Sequence, residues 1–269
     1  MRNGDTVRSV PVASVAAERT QVNSASTPRL GPIRTIRINR DDRLLASIFD
    51  PHSAVSEQYR KLKSSLVRLT RDDKFRNLLM VTSAIAGEGK SLTAVNLAIS
   101  MAQEYDLTVL LVDADLRRPR VHTYLGFEQT IGLSDCLQDG IDIGEAIVKT
   151  DIDKLSVISA GREVEKPLEL LASKKMQELM AELKHRYNDR YVIIDTPPLL
   201  PFAETRALAH LVDGVIFVIH AEVTPVDSVL EAKELLKGCQ ILGVVLNDST
   251  EPNTDNSHYS GYYGRQTAV

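Results

Sequence analysis

Three short stretches of the chain bring together residue types that suit chemistry better than packing. The first, "TSAIAGEGKSL" at residues 82–92, follows an apolar run and precedes a helical pattern. Gly87 and Gly89 let the backbone curl until successive N–H groups point inward at one anion, and the helix beginning near Ser91 adds its positive end. Lys90 is placed to neutralise the β- and γ-phosphates of a nucleotide, and the Ser91 hydroxyl to ligate Mg²⁺. The pattern is a Walker A loop, GxxxxGK[ST], with Ala84 in place of its first glycine. A Gly-rich bend alone would be structural; Lys-Ser at this place makes it a phosphate site. The nucleotide cradle expected to hold ATP is Ala86, Gly87, Glu88, Gly89, Lys90, Ser91 and Leu92.

The second stretch is "VLLVDADLRRPRVH". A buried strand has little use for two carboxylates at its end, because unpaired buried charge is costly. Asp113 and Asp115 are two residues apart and project to one side if the strand persists. Beside a metal ion and a substrate hydroxyl they find a use. Arg117 and Arg118 follow and can pair with phosphate or with a neighbouring subunit. The third stretch, "YVIIDTPPLL", is an apolar run ending in Asp195, the form of a Walker B strand whose carboxylate holds Mg²⁺ through water. The expected metal set is Ser91, Asp113 and Asp195.

Positioning these groups takes a parallel sheet. "NLLMVTSA", "LTVLLVDAD", "KLSVISAG", "RYVIIDTPP", "DGVIFVIHA" and "ILGVVLND" are short apolar runs, most of them continuous, as strands buried on both faces should be. Helical patterns near 91–104, 168–188, 203–212 and 226–237 alternate with them, and another starts near Ser53 with Val55, Tyr59, Leu62, Leu66 and Leu69 on one face. The expectation is an α/β P-loop fold: a mostly parallel central sheet with helices on both faces, its ligands beyond the carboxyl ends of the strands.

Composition bounds the rest. The 269 residues fit one large domain with tails, and 43% hydrophobic residues suffice for its core. A net charge of -4 gives no general reason to expect nucleic-acid binding. Residues 1–50 read as a disordered basic arm, with eight arginines against four carboxylates up to Arg43, suited to anionic lipid, a partner or plain solvent. Residues 51–248 form the catalytic domain, and 249–269 a flexible tail. Cys136 and Cys239 lie apart without metal-ligand spacing and read as buried thiols of a reducing compartment. No apolar run approaches the length of a membrane span and no continuous apolar signal core opens the chain, so the reading is cytoplasmic. The tail "NSHYSGYYGRQTAV" sets Tyr259, Tyr262 and Tyr263 where no core can form around them.

Together the motifs resemble the bacterial protein tyrosine kinases of polysaccharide assembly, whose P-loop domain is similar to the MinD/ParA ATPases. The resemblance covers about residues 55–263 and includes "LLVDADLRRP" (the family's Walker A′), "DTPPLLPFAETRALAHLVDGVIFVI" and "GVVLND". It implies that Lys90 and Ser91 bind nucleotide and metal, that Asp113 and Asp115 are the catalytic pair, and that Asp195 completes the Mg²⁺ site. It implies too that Tyr259, Tyr262 and Tyr263 are phosphoacceptors modified between neighbouring subunits of a homo-oligomer, ring-shaped in the family. A family motif for subunit contact, E-x-x-R-x-x-R, stands here as Glu57, Arg60 and Lys63, the final Lys lacking the forked geometry of Arg; a solvated helix face is the alternative. Further implied are regulation of exopolysaccharide polymerisation and export, a separate membrane chain-length-determinant protein that recruits and activates the kinase at the inner face of the membrane, and a cognate tyrosine phosphatase. Ala86 and Leu92 depart from the family's usual residues without removing a phosphate-binding group.

Two other functions are open to such a loop. A MinD/ParA-type positioning or partition ATPase would carry a signature lysine second in the loop, where this chain has Ile85. A regulatory scaffold without phosphotransfer has no need of Lys90, Ser91, Asp113, Asp115 and Asp195 together. Phosphotransfer to tyrosine requires that the phenol lose its proton during attack; Asp113 or Asp115 is placed to accept it, with Asp113 favoured.

Overall fold

A computed structural model describes residues 34–71, 75–186 and 189–250. Tyr259, Tyr262 and Tyr263, and residues 1–33 of the expected arm, lie outside the described residues.

Strand β1 (Thr35–Ile36) and helix α1 (Ala46–Phe49) precede the long helix α2 (Ala54–Thr70). Ser53 caps α2 by accepting a hydrogen bond from the Ser56 N–H at 3.2 Å, with Glu57 in the first turn. Then come β2 (Leu78–Ser83), α3 (Lys90–Ala102) and β3 (Thr108–Asp113). Short elements follow: α4 (Val121–Leu125), α5 (Leu133–Asp139), α6 (Ile143–Ala146), β4 (Val148–Thr150) and β5 (Leu155–Ile158). Helices α7 (Pro167–Leu171) and α8 (Lys174–Arg186) lead into β6 (Arg190–Asp195). Helix α9 (Ala203–Ala209), β7 (Gly214–His220), α10 (Val226–Leu235) and β8 (Ile241–Asn247) complete the order.

The eight strands form one sheet in the order β1-β4-β5-β3-β6-β2-β7-β8. Every pair is parallel except β4 with β5. All six strands expected from the apolar runs are present; β1 and β4 are too short to leave a pattern. The central strands are apolar throughout because both faces are covered. Leu78, Met80, Leu110, Val112, Val192 and Ile194 join the core under α5–α10, and the alternating Leu79, Val81, Val109, Leu111, Tyr191 and Ile193 join the core under α1–α4.

Two boundaries differ from expectation. The single helix expected near 168–188 is broken after Leu171, because Ser173 turns its hydroxyl to accept the Met176 N–H at 3.2 Å and caps a new helix. The domain also starts earlier than residue 51. Ile38 and Leu45 are buried in the α2–α3 core. The Asp151 carboxylate accepts from the Ile38 N–H at 3.0 Å and from Arg40 Nη2 at 2.9 Å, while Asn96 Nδ2 donates to the Leu44 carbonyl at 2.9 Å. Residues 34–50 are therefore a strap on the domain, not part of a loose arm. Among the described residues no helix is long and apolar enough to cross a membrane.

Candidate active site

Sheet register assembles the site. Asp113 and Asp195 end adjacent strands and are direct partners across the β3–β6 pair, and Val81 of β2 is paired with Asp195 on its other side. The loop after β2 thus opens beside both carboxylates. Beyond β6 the chain braces that loop: the Leu199 and Leu200 N–H groups donate to the Ser83 and Ala84 carbonyls at 2.8 and 3.1 Å.

Within the loop Gly87 and Gly89 have φ of +89° and +87°, the left-handed region that glycine enters freely. No atom lies within 4 Å of where a Gly87 Cβ would stand, so the mouth is open there. A Cβ on Gly89 would fall 2.1 Å from Asn247 Nδ2. Glu88 faces inward: its Oε2 accepts the Ile85 N–H at 2.6 Å, its Oε1 accepts the Thr224 hydroxyl, and its carbonyl accepts Asn247 Nδ2 at 3.1 Å. The expected cradle therefore has a buried carboxylate as its internal brace. Glu88 was expected in the loop, but its bracing side chain, and the roles of Thr224 and Asn247, were not. A carboxylate among glycines was the one available signal.

Lys90 Nζ lies 2.8 Å from Asp115 Oδ2 and 3.2 Å from Ser91 Oγ. Burial works against the ammonium, but Asp195, Asp115 and Asp113 outweigh it and hold its pKa above the ordinary lysine value. Asp113 is fully buried. Its Oδ1 accepts the Asp115 N–H at 3.1 Å, and its Oδ2 accepts the Arg120 and Val121 N–H groups, each at 3.1 Å. Burial and the nearby charges of Asp195 and Asp115 raise its pKa well above the carboxylate range, against those N–H donors. Asp115 Oδ1 accepts the Arg118 N–H at 3.0 Å.

Asp195 is pushed up to about 6 by burial, with Lys90 and Ser91 opposing. Ser91 is near enough to lower it, yet neither Asp195 oxygen has a hydrogen-bond partner of regular geometry. A buried carboxylate with both oxygens unsatisfied, beside a hydroxyl and an open glycine loop, fits a hydrated divalent cation and the phosphates it would bridge. Among the described residues no three or more His, Cys, Asp or Glu side chains form a metal cage, so phosphate and water oxygens would complete the shell.

The remaining expected residues are placed differently. Arg117 donates through Nε to buried Glu204, with its guanidinium 4.4 Å from the Phe202 ring centre, so it ties β3's loop to α9 instead of reaching phosphate. Arg118 has an exposed side chain. On α2, Arg60 pairs with Glu57 at 2.7 Å and also donates to the Pro51 carbonyl at 2.7 Å. Lys63 is turned into the domain, where it pairs with Glu104. Of that motif, Glu57 and Arg60 remain nearest the surface.

A family model described as "AAA domain" matches residues 78–240. The chain is 38% identical to the tyrosine-protein kinase YwqD of Bacillus subtilis over 86% of its own length and 96% of that protein. It is 33% identical to the putative tyrosine-protein kinase CapB of Staphylococcus aureus, over 80% and 92%. Among solved structures, the chimerical protein CapA2B2 superposes with a TM-score of 0.71 at 31% identity, over 82% of this chain and 95% of that one. The kinase domain of Escherichia coli tyrosine kinase ETK gives 0.70 at 25%, over 81% and 92%. MinD from Pyrococcus horikoshii, at 24% identity and a TM-score of 0.55 over 63% and 69%, shares the fold. With a phosphate loop, paired aspartates and an orphaned strand-end carboxylate set on one sheet edge, this chain belongs to the family of bacterial tyrosine-protein kinases.

Proposed function

We propose that the protein is an ATP- and Mg²⁺-dependent tyrosine autokinase whose acceptors are Tyr259, Tyr262 and Tyr263 of a neighbouring copy. The observation that carries this is the convergence of Lys90, Ser91, Asp113, Asp115 and Asp195 at the ends of β2, β3 and β6. The backbone N–H groups of residues 86–92 and the Lys90 ammonium bind and orient the phosphates; Ser91 and Asp195, with Asp113 beside them, hold the cation. When bound, Mg²⁺ neutralises charge on the transferring phosphoryl group. Asp113, whose proton affinity is raised by burial and by Asp195, accepts the phenolic proton as the tyrosine attacks. Asp115 holds Lys90 in readiness. Ile85 packs its side chain against the core and gives its N–H to Glu88, so it cannot supply the reaching cation of a partition ATPase.

The family resemblance supports the wider setting: a role in exopolysaccharide assembly, a homo-oligomer with Glu57 and Arg60 at its contacts, a membrane chain-length-determinant partner that recruits the kinase to the inner face of the membrane, and a cognate phosphatase. A tethered acceptor segment raises its concentration at a neighbour's site.

The test is mass spectrometry of the tail after incubation with MgATP, with the membrane partner co-expressed. Wild type should gain phosphate, and Lys90→Met and the triple Tyr→Phe variant should not. Equal tail phosphate on wild type and Lys90→Met would overturn the reading.

A further inference from the structure

Tyr105 packs against almost nothing. Tyr59 and Tyr124 are partly buried and Tyr191 wholly so, whereas Tyr105 is 91% exposed. It stands on the turn between α3 and β3 with carboxylates on both sides, Glu104 and Asp106. The turn itself is fixed. Lys154 Nζ donates to the Glu104 carbonyl at 3.0 Å and to the Tyr105 carbonyl, and lies 5.6 Å from the Tyr105 ring centre. Lys154 is in turn anchored by its own carbonyl, which accepts the Val109 N–H at 2.8 Å. The phenol is therefore held outward at a defined point.

Its surroundings suit a phosphate. Tyr105 lines a shallow depression of about 340 Å³ together with Lys63, Val67, Arg71, Glu104 and Leu107. Two of these are cations and Lys154 is a third nearby. An aromatic ring set in the open with acidic neighbours and three cations within its compass is a poor packing element and a good acceptor.

We propose that Tyr105 is a second phosphoacceptor of this kinase, modified by another copy of the chain; the proposal rests on the kinase reading above. Its own site cannot serve. The turn precedes β3 and the phosphate loop lies past the strand's far end, and six strand residues span roughly 20 Å. In the step, Tyr105 Oη bonds to the γ-phosphorus of ATP on the other copy, the bond from that phosphorus to the β,γ-bridging oxygen breaks, ADP leaves with the electron pair, and the phenolic proton passes to a site aspartate. The added charge of about -1.5 to -2 then competes with Glu104 for Lys63.

The experiment mixes ¹⁵N-labelled wild type as donor with unlabelled Lys90→Met as acceptor, adds MgATP, and maps phosphate on the acceptor's tail and on its tryptic peptide 91–117, which contains Tyr105. Asp113→Asn replaces Lys90→Met as acceptor if the latter does not fold. Phosphate on both peptides is expected, with complete loss from 91–117 alone when the acceptor carries Tyr105→Phe. Tail phosphate with bare Tyr105 overturns the proposal and leaves the autokinase standing. Phosphate on neither peptide rejects both together. Phosphate on Tyr105 that persists with a Lys90→Met donor also overturns it, because the phosphate then comes from another enzyme.

Discussion

Lys90 Nζ and Asp115 Oδ2 are 2.8 Å apart, and both side chains are nearly out of water, 11% and 4% exposed. The phosphate-binding cation is thus parked on a carboxylate from the next strand while no phosphate is present. The pair gives Asp115 a structural task, and makes nucleotide binding an exchange of one anion for another at the same ammonium.

Replacing Lys90 by Met should act twice. Phosphotransfer should fall by about 10²- to 10³-fold or more, as for loss of an aimed charge in a closed site. The nucleotide-free protein should also lose about 3–5 kcal/mol of stability, because Asp115 is left buried without its partner. Adding Asp115→Asn should restore most of the stability and none of the activity. Thermal melts of the two single variants and the double variant, set beside rates, separate the effects.

Asp195 is held at about 6 by burial, above the ordinary aspartate value of 3.8. Keeping it charged in the fold has a cost that is present above pH 6 and relieved as the pH falls through 6 toward 4, where the folded form takes up a proton before the unfolded form does. Asp195→Asn should therefore stabilise the nucleotide-free protein at pH 7.5 by about 1–3 kcal/mol, and the advantage should shrink as pH is lowered through 6. Urea melts at pH 7.5 and 5 check this. A wild type that loses ground to the variant on acidification would contradict the buried, unpartnered carboxylate. The same variant should lose Mg²⁺-dependent phosphotransfer.

The two glycines of the loop should respond differently to alanine. Gly87→Ala meets no neighbour and suffers only from its positive φ, about 1 kcal/mol. Gly89→Ala also collides with Asn247 Nδ2 and should cost nucleotide affinity at least tenfold more than Gly87→Ala. Binding of a fluorescent ADP measures both. Combining Gly89→Ala with Asn247→Ala should recover part of the loss, the steric part, and leave the backbone strain.

Much of this was legible because the residues concerned are either apolar for several positions or polar where a strand should end. The runs ending in Ser83, Asp113 and Asp195 announced both the strands and their chemistry. The hidden parts are of two kinds. Elements of two to seven residues, such as β1, β4 and α4–α6, are shorter than the period that would reveal them. Long-range polar ties leave no local trace: Glu88 finds Thr224 and Asn247 only after the chain has folded, and Arg117 finds Glu204 in the same way.

Glu88 offers a test of such a tie. Its carboxylate is the acceptor for the Ile85 N–H at 2.6 Å, so Glu88→Ala leaves that donor buried and unsatisfied, at about 1–3 kcal/mol, and frees the loop before Gly87. Glu88→Gln retains one acceptor and should fall between. Amide hydrogen exchange at residues 85–89 should quicken in the order wild type, Gln, Ala, and ADP affinity should weaken in the same order.

The strap at residues 34–50 makes the last prediction. Leu45 is wholly buried against the α2–α3 core, Ile38 nearly so, and Asp151 fastens the backbone between strap and sheet edge. Leu45→Ala should cost about 2–5 kcal/mol, as for any well-packed leucine. A chain beginning at residue 51 loses Ile38 and Leu45 together, uncovers the surface they fill, and removes the acceptor that Asn96 of α3 uses at Leu44. Because α3 carries Lys90 and Ser91 at its start, that shortened chain should melt lower and bind ADP more weakly than a chain beginning at residue 34. Equal melting temperatures for the two would show that the strap is a passive covering; a difference of several degrees, removed by no change in nucleotide or salt, would make it part of the kinase domain.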